Sequence, residues 1–303
     1  MRNVPPRVAV VGLVRNGEAT VTQAVQRLAQ ALAACSQTQW MVIESDSSDG
    51  TLAALAALKT RLPGFDFRSL GALATSHPHR TDRIAHCRNA GLEWFESLRA
   101  AGESVSHLVM ADLDGVNDAI TPEALASCWQ RNGWEACMAN QSGRYYDLWA
   151  LRHAAWCPSD CWAEADFLTA HGVARDRAIA ATVYQRMLEI DPGHDWIEVE
   201  SAFGGLAVYR AEAIAGLRYR GLDDAGRELC EHVPLHLAMR ARGARLFINP
   251  KLLNGRAGEG EQYFPGPAVA RRHAGSWRLR AALWLAFGPR EGKALRRLVE
   301  GMR

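Results

Sequence analysis

Three short apolar runs, each stopping abruptly at a polar turn, constrain this chain more than any other feature. Arg7-Val8-Ala9-Val10-Val11-Gly12-Leu13-Val14 stops at Arg15-Asn16-Gly17-Glu18, and Gln39-Trp40-Met41-Val42-Ile43-Glu44 stops at Ser45-Asp46-Ser47-Ser48-Asp49-Gly50. His107-Leu108-Val109-Met110-Ala111 stops at Asp112-Leu113-Asp114-Gly115. Continuous apolar runs of this length read as strands buried on both faces, the habit of a parallel sheet. Between the first two, Val21, Ala24, Val25, Leu28 and Leu32 keep helical spacing, and a Leu/Ala-rich helix is expected from Thr51 to about Leu62. A β-α-β-α succession with a polar turn after each strand is the pattern of a doubly wound nucleotide-binding half.

Ligands of open α/β sheets bind beyond the carboxyl ends of the strands, where all three turns fall. Alternate residues of an extended strand point the same way, so Asp112 and Asp114 can converge on one point. Two hard oxygen donors beside a phosphate suit Mn²⁺ or Mg²⁺; the bland reading is a strand ending in two solvated acids. Neither G-x-G-x-x-G nor G-x-x-x-x-G-K-[ST] follows a strand, so neither a dinucleotide fold nor a P-loop is expected.

Further along, Arg80, Arg83 and Arg88 lie on a helix expected over His79 to Trp94, where one or more would reach a pyrophosphate, unless they only solvate a helix face. Thr121-Pro122 opens a helix to about Gln130, and Trp134 to Asn140 is a strand. Tyr145, Tyr146, Asp147 and Arg152 form an aromatic and polar cluster suited to a sugar, with a core tyrosine pair as the alternative. The pattern then dissolves from about 153 to 195, read as an insertion carrying acceptor contacts or a lid, with a helix over 176 to 188. Gly204-Gly205 precedes a strand, a helix runs from Leu229 to Arg240, and Ala244 to Pro250 is a late strand.

Taken in order, the turns R-N-G-E and E-S-D-S-S-D-G-T, the segment C-R-N-A-G-L-E-W and the turn D-L-D-G resemble the donor half of GT-A fold glycosyltransferases. The resemblance implies a GT-A-like, Rossmann-like α/β fold with a mixed, mainly parallel sheet flanked by helices. It implies a domain over 1-270, made of a nucleotide-binding half over 1-117 and an acceptor half over 118-270. By this likeness Asp112 and Asp114 hold the metal on the diphosphate, and Asp46, with Asp49 as the alternative, contacts the base or ribose. Arg15, Arg83 and Arg88 serve the diphosphate, and Gly204 and Gly205 line the donor sugar. Tyr145, Tyr146, Asp147, Arg152 and His232 are the expected substrate contacts, with a weaker likeness to fungal capsule mannosyltransferases at Y-D-x-W-x-x-R. Glu231 falls where inverting members carry the general base, although His232 replaces the usual second acid. His232 and His236 share a helix face, where one of them would complete a metal shell or both would only open a helix.

The expected activity is transfer of a sugar from a nucleotide-diphosphate sugar to a glycan or lipid-linked acceptor, in surface polysaccharide or glycoconjugate synthesis. The rivals are a sugar-phosphate nucleotidyltransferase, which would carry a glycine-rich basic loop where residues 12-18 offer only Arg15, and a non-catalytic carbohydrate-binding protein. Seven cysteines, an odd number, fit a reducing compartment and free thiols better than a disulfide framework. With no run near the ~20 apolar residues of a membrane span and no signal-peptide pattern at the start, a cytoplasmic protein is expected.

The net charge of +2 conceals an asymmetry. Residues 271-303 hold nine Arg or Lys against Glu291 and Glu300, a net of +7, which leaves −5 for the rest. This basic amphipathic tail, with Trp277 and Trp284, is read as a helix that either docks on the domain or lies peripherally on an anionic membrane at its inner face. No nucleic-acid partner is expected.

Overall fold

The computed structural model describes residues 6-255, so the basic tail expected over 271-303 lies outside the described residues. Strand β1 (Arg7–Val14) leads to helix α1 (Val21–Ala31), β2 (Gln37–Glu44), α2 (Thr51–Arg61) and β3 (Phe65–Ser69). Helix α3 (Arg80–Ala100) then returns the chain to β4 (His107–Asp112). The second half runs through α4 (Pro122–Ala126), β5 (Ala136–Asn140), α5 (Cys161–Ala170), α6 (Arg175–Thr182), β6 (Ile197–Val199) and β7 (Leu206–Arg210). It closes with α7 (Ala211–Ile214), α8 (His232–Ala241) and β8 (Leu246–Leu253).

All eight strands form one sheet in the order β3-β2-β1-β4-β7-β5-β8-β6. The pairs among β3, β2, β1 and β4 are parallel, as is β5 with β8, while β7 runs antiparallel to β4 and β5, and β6 antiparallel to β8. The class is therefore mixed, mainly parallel α/β, as the resemblance implies. The order also reverses at β1: β2 and β3 lie to one side and β4 to the other. A crevice opens at such a reversal, outside the carboxyl ends of β1 and β4.

Each face of the sheet carries its own core. Ala9 and Val11 of β1 pack with Leu92 and Phe95 of α3 and with the second half of the chain, whereas Val8 and Val10 meet Val21, Val25 and Leu28 of α1. Each Val, Leu or Phe among them removed from water contributes about 1.5–3 kcal/mol. Gly91 lets α3 sit close on the sheet, since a Cβ there would lie 2.3 Å from Val11 Cγ1. The seven cysteines are free thiols, six of them buried.

Several elements depart from their expected bounds. Helix α3 runs to Ala100 and not merely to Trp94, and β3 follows directly on α2 where no strand is expected. The stretch over 153-195 is not patternless: it holds α5 and α6, which pack on each other and show little apolar stripe because apolar residues such as Phe167 also lie on the exposed side. Thr121 does cap α4, accepting from Ala124 N at 3.1 Å with Pro122 in the first turn.

Candidate active site

Asp112 ends β4 opposite Leu13 of β1, which places it on the crevice. Its backbone N donates to Gly205 O at 3.0 Å, and Asn117, fully buried, donates from Nδ2 to Asp112 O at 2.8 Å and to Gly205 O at 3.0 Å. Asn254 continues the staple, donating from Nδ2 to Asn117 Oδ1 at 2.9 Å and to Gly204 O at 2.6 Å. The acidic turn is thus bolted to the glycine pair. Gly204 and Gly205 have φ of +70° and +86°, a region costly for any L side chain, and a Cβ on Gly204 would lie 2.9 Å from Ala139 O.

Asp114 is open to solvent, held at its base by Val116 N, which donates to Oδ1 at 3.2 Å. Atoms crowding around it and the neighbouring Asp112 push its pKa upward, yet surface exposure decides whether a ligand reaches it, and it is exposed. The Asp112 side chain is one-third exposed, and Arg88 Nη2 donates to its Oδ1 at 3.0 Å.

Arg88 is the hinge of the arrangement. It is 3% exposed on α3, and its Nε donates to Glu231 Oε1 at 2.9 Å. Its guanidinium lies 4.7 Å from the Phe203 ring centre and 5.8 Å from that of Tyr219. Burial alone would favour the neutral form, but Asp112 and Glu231 more than offset it and raise the pKa. Removing one partner from a buried pair of this kind typically costs about 3–5 kcal/mol.

Glu231, 5% exposed, immediately precedes α8. His232 stacks on Phe203 with ring centres 3.8 Å apart, and burial, Arg88 and His236 hold it neutral. His236 uses both ring nitrogens, Nδ1 with Ser201 Oγ at 2.9 Å and Nε2 with Tyr209 OH at 2.8 Å. Burial, then Arg88, lowers its pKa to about 3. Asp147 accepts from Gly204 N at 2.8 Å; burial raises its pKa to about 6 despite that bond, with Glu231 and Asp112 adding to the rise.

The loops after β1 and β2 form the other wall. Asn16 and Asp46 both have positive φ, +50° and +56°, and Asn16 is tied to the second loop by its N donating to Ser47 Oγ at 2.9 Å and its Oδ1 accepting from Ser48 N at 2.8 Å. Asn and Asp tolerate this left-handed region better than other side chains, which lets both loops turn sharply at the strand ends. Arg15 is exposed and its Nε donates to Asp46 O at 3.4 Å, while Asp46 Oδ1 accepts from Ala74 N at 2.9 Å. Asp49 turns inward to the loop, accepting from Glu18 N and Thr51 N at 3.1 Å each.

The crevice therefore gathers Asp112, Asp114, Arg88, Glu231, Asp147, Gly204 and Gly205, with Arg15 and Asp46 on the adjoining loops. Other candidates are held in contacts of their own. Arg83 Nη1 donates to His77 O and Pro78 O at 2.7 and 2.8 Å, fastening the turn before α3. Tyr145 is wholly buried, edge-on to Trp156 at 5.4 Å, and Tyr146 packs partly buried against the same core. Arg152 Nη1 donates to Trp149 O and Leu151 O at 3.0 and 2.7 Å, and its Nη2 pairs with Asp160 at 3.5 Å. Asn117 and Asn254 escape sequence reasoning; the only signal is an asparagine three residues after the D-x-D, and nothing local marks its partner 137 positions on.

No family model and no curated protein matches the sequence. Among solved structures the chain is similar to a mannosyltransferase from Pyrobaculum calidifontis in complex with GDP-Man and Mn²⁺. The two are 16% identical, with 97% of this chain and 73% of that one covered and a TM-score of 0.45. It is also similar to S. aureus TarS in complex with UDP-GlcNAc, at 11% identity, 97% and 71% coverage and a TM-score of 0.44. A third similar structure is glucosyl-3-phosphoglycerate synthase from Mycobacterium tuberculosis in complex with UDP, at 12% identity, 83% and 69% coverage and a TM-score of 0.38. Among the described residues no helix is long and apolar enough to cross a membrane.

Proposed function

We propose that this protein is a metal-dependent glycosyltransferase of the GT-A type, moving a sugar from a nucleotide-diphosphate sugar to a hydroxyl of a glycan or lipid-linked acceptor. The observation that carries the reading is the Asp112 and Asp114 pair at the carboxyl end of β4, on the crevice where the strand order reverses. Arg15 and Asp46 would face the nucleoside and diphosphate, and Gly204 and Gly205 the donor sugar.

The two acids fit a divalent ion in one respect that can be tested on this chain: Asp114 is exposed and Asp112 partly so. Among the described residues no group of three or more His, Cys, Asp and Glu is set to hold a metal, so most of the shell would come from phosphate oxygens and water. Mg²⁺ and Mn²⁺ sites at phosphates are commonly built this way, from one or two carboxylates. Such an ion would neutralise charge on the leaving diphosphate.

The residues of the chain supply the rest. Glu231 would take the proton of the acceptor hydroxyl as its oxygen bonds to the sugar carbon and the bond to diphosphate breaks. That carboxylate is 5% exposed, with Nε2 of neutral His232, itself stacked on Phe203, 3.4 Å from its Oε1. In a retaining reaction Glu231 would bind the acceptor instead.

A thermal-shift panel of UDP, GDP, CMP and dTDP sugars with and without Mn²⁺ tests the assignment. One nucleotide class should raise the melting temperature only when the ion is present. No shift by any member would end the reading, and pyrophosphate release from a nucleoside triphosphate with a sugar phosphate would favour the nucleotidyltransferase. Role in surface polysaccharide or glycoconjugate synthesis, at the inner face of a membrane, rests on the basic tail. Co-sedimentation with anionic liposomes should drop when residues 271-303 are removed, and equal pelleting of both chains would remove the membrane from the proposal.

A further inference from the structure

We infer that Arg88 is a positioning residue that joins the two sides of the reaction centre, fixing the metal-binding carboxylate of Asp112 and the acceptor-side carboxylate of Glu231 with one buried guanidinium. The inference rests on the metal-site reading of Asp112 and deepens it.

Two neighbouring nitrogens of one planar group reach two carboxylates from opposite halves of the chain: Nη2 to Asp112 Oδ1 at 3.0 Å and Nε to Glu231 Oε1 at 2.9 Å. The group is 3% exposed and covered by Phe203 and Tyr219. Nη1 is buried with no hydrogen-bond partner among the described residues. Arg88 is thus placed to orient carboxylates rather than to meet a diphosphate from solvent. Its bond to Oδ1 fixes the Asp112 rotamer and leaves Oδ2 as the free metal donor. Glu231, in turn, holds the far end of the fork. Because the guanidinium is flat and its donors have fixed directions, one carboxylate cannot turn without disturbing the bond to the other. Outer partners of metal ligands act in this way, and their loss commonly weakens metal binding by about 10–100-fold.

An ammonium keeps the charge but cannot make both bonds in the same geometry. Mn²⁺ titrations of the full chain, read by the electron paramagnetic resonance signal of free Mn²⁺ with UDP or GDP present, separate the alternatives without turnover. Arg88→Lys should raise the half-saturating Mn²⁺ concentration by roughly tenfold. Glu231→Gln, which leaves Asp112 untouched, should also raise it, by about three- to tenfold through the loosened fork. Glu228→Gln alters a carboxylate three residues from Glu231 that bonds to Thr81 of α3 and not to Arg88, and should leave the Mn²⁺ curve within about twofold of wild type. Thermal melting checks that each variant is folded; should Arg88→Lys not fold, Glu231→Gln against Glu228→Gln decides alone. Wild-type Mn²⁺ binding in Arg88→Lys or in Glu231→Gln would overturn the inference, as would equal weakening by Glu231→Gln and Glu228→Gln, which would reduce the effect to bare charge. If the wild-type protein itself binds no Mn²⁺ with either nucleotide, the metal-site reading falls and this inference with it.

Discussion

The two walls of the crevice are built by opposite means. The wall from the loops after β1 and β2 is exposed and held by many modest bonds: Asn16 with Ser47 and Ser48, Glu18 with Gly50, and Asp49 with Glu18 and Thr51. The wall from α3 and α8 is buried and held by few bonds of high consequence: Arg88 with Asp112 and Glu231, and His236 with Ser201 and Tyr209. Water can replace a lost partner on the first wall, whereas on the second a lost partner leaves a desolvated charge or hydroxyl. In the proposed reaction the first kind of surface would meet the nucleotide, and the second would serve proton transfer.

The largest effect is expected at Glu231. Glu231→Gln should lower turnover of the sugar donor by about 10²–10⁴-fold if the enzyme inverts, as measured by nucleotide release; a loss under threefold would move the base elsewhere. Next in size, Asp112→Asn and Asp114→Asn should each weaken Mn²⁺-dependent binding of the nucleotide diphosphate by about 100-fold or more, since losing even an outer partner of a metal ligand costs about 10–100-fold. Calorimetry checks this. The exposed Asp114 variant should keep its melting temperature, and Asp112→Asn should not.

Smaller effects sharpen how the walls meet. Gly204→Ala should destabilise the fold by about 1–3 kcal/mol in denaturant titrations, because its φ of +70° is costly for a side chain and the Cβ would strike Ala139 O. Unchanged stability would mean the Asn117 and Asn254 staple tolerates a shift. The smallest effect is in pH. Asp147, with a folded pKa of about 6 against an ordinary 3.8, contributes stability that is complete below 3.8 and lost as the pH rises through 6. Asp147→Asn should therefore gain about 1–2 kcal/mol over wild type at pH 7.5 and nothing at pH 3.5. His236, lowered from 6.5 to about 3, works the other way: its contribution is present above pH 6.5 and lost as the pH falls toward 3. Both variants are read by urea titration at several pH values, and a His236→Gln protein with an unchanged acid limb would contradict this account.

Most strands and the order of the turns were legible in the sequence, because a strand buried on both faces must be apolar throughout and must stop at polar residues to leave the sheet. That logic placed β1, β2, β4, β5, β7 and β8 and put Asp112 and Asp114 at a strand end. It missed β3 and β6 at the edges of the sheet, where one side of a short strand faces solvent and the apolar run is diluted: Phe65 and Phe67 alternate with Asp66 and Arg68. It also passed over α5, which mixes exposed Phe167 with buried Cys161 and Ala165 and so shows no clear stripe.

Local burial and spacing alone dictate the buried strands, the polar turns at their ends and the pair of acids where β4 stops. Which acids share a partner is settled by the packing of the whole fold. Arg88 and Glu231 are 143 positions apart, and Asn117 and Asn254 are 137 apart. No local pattern encodes such pairs: a buried charge or amide is stable only when the fold delivers its partner, and that delivery depends on how the two halves of the sheet pack together.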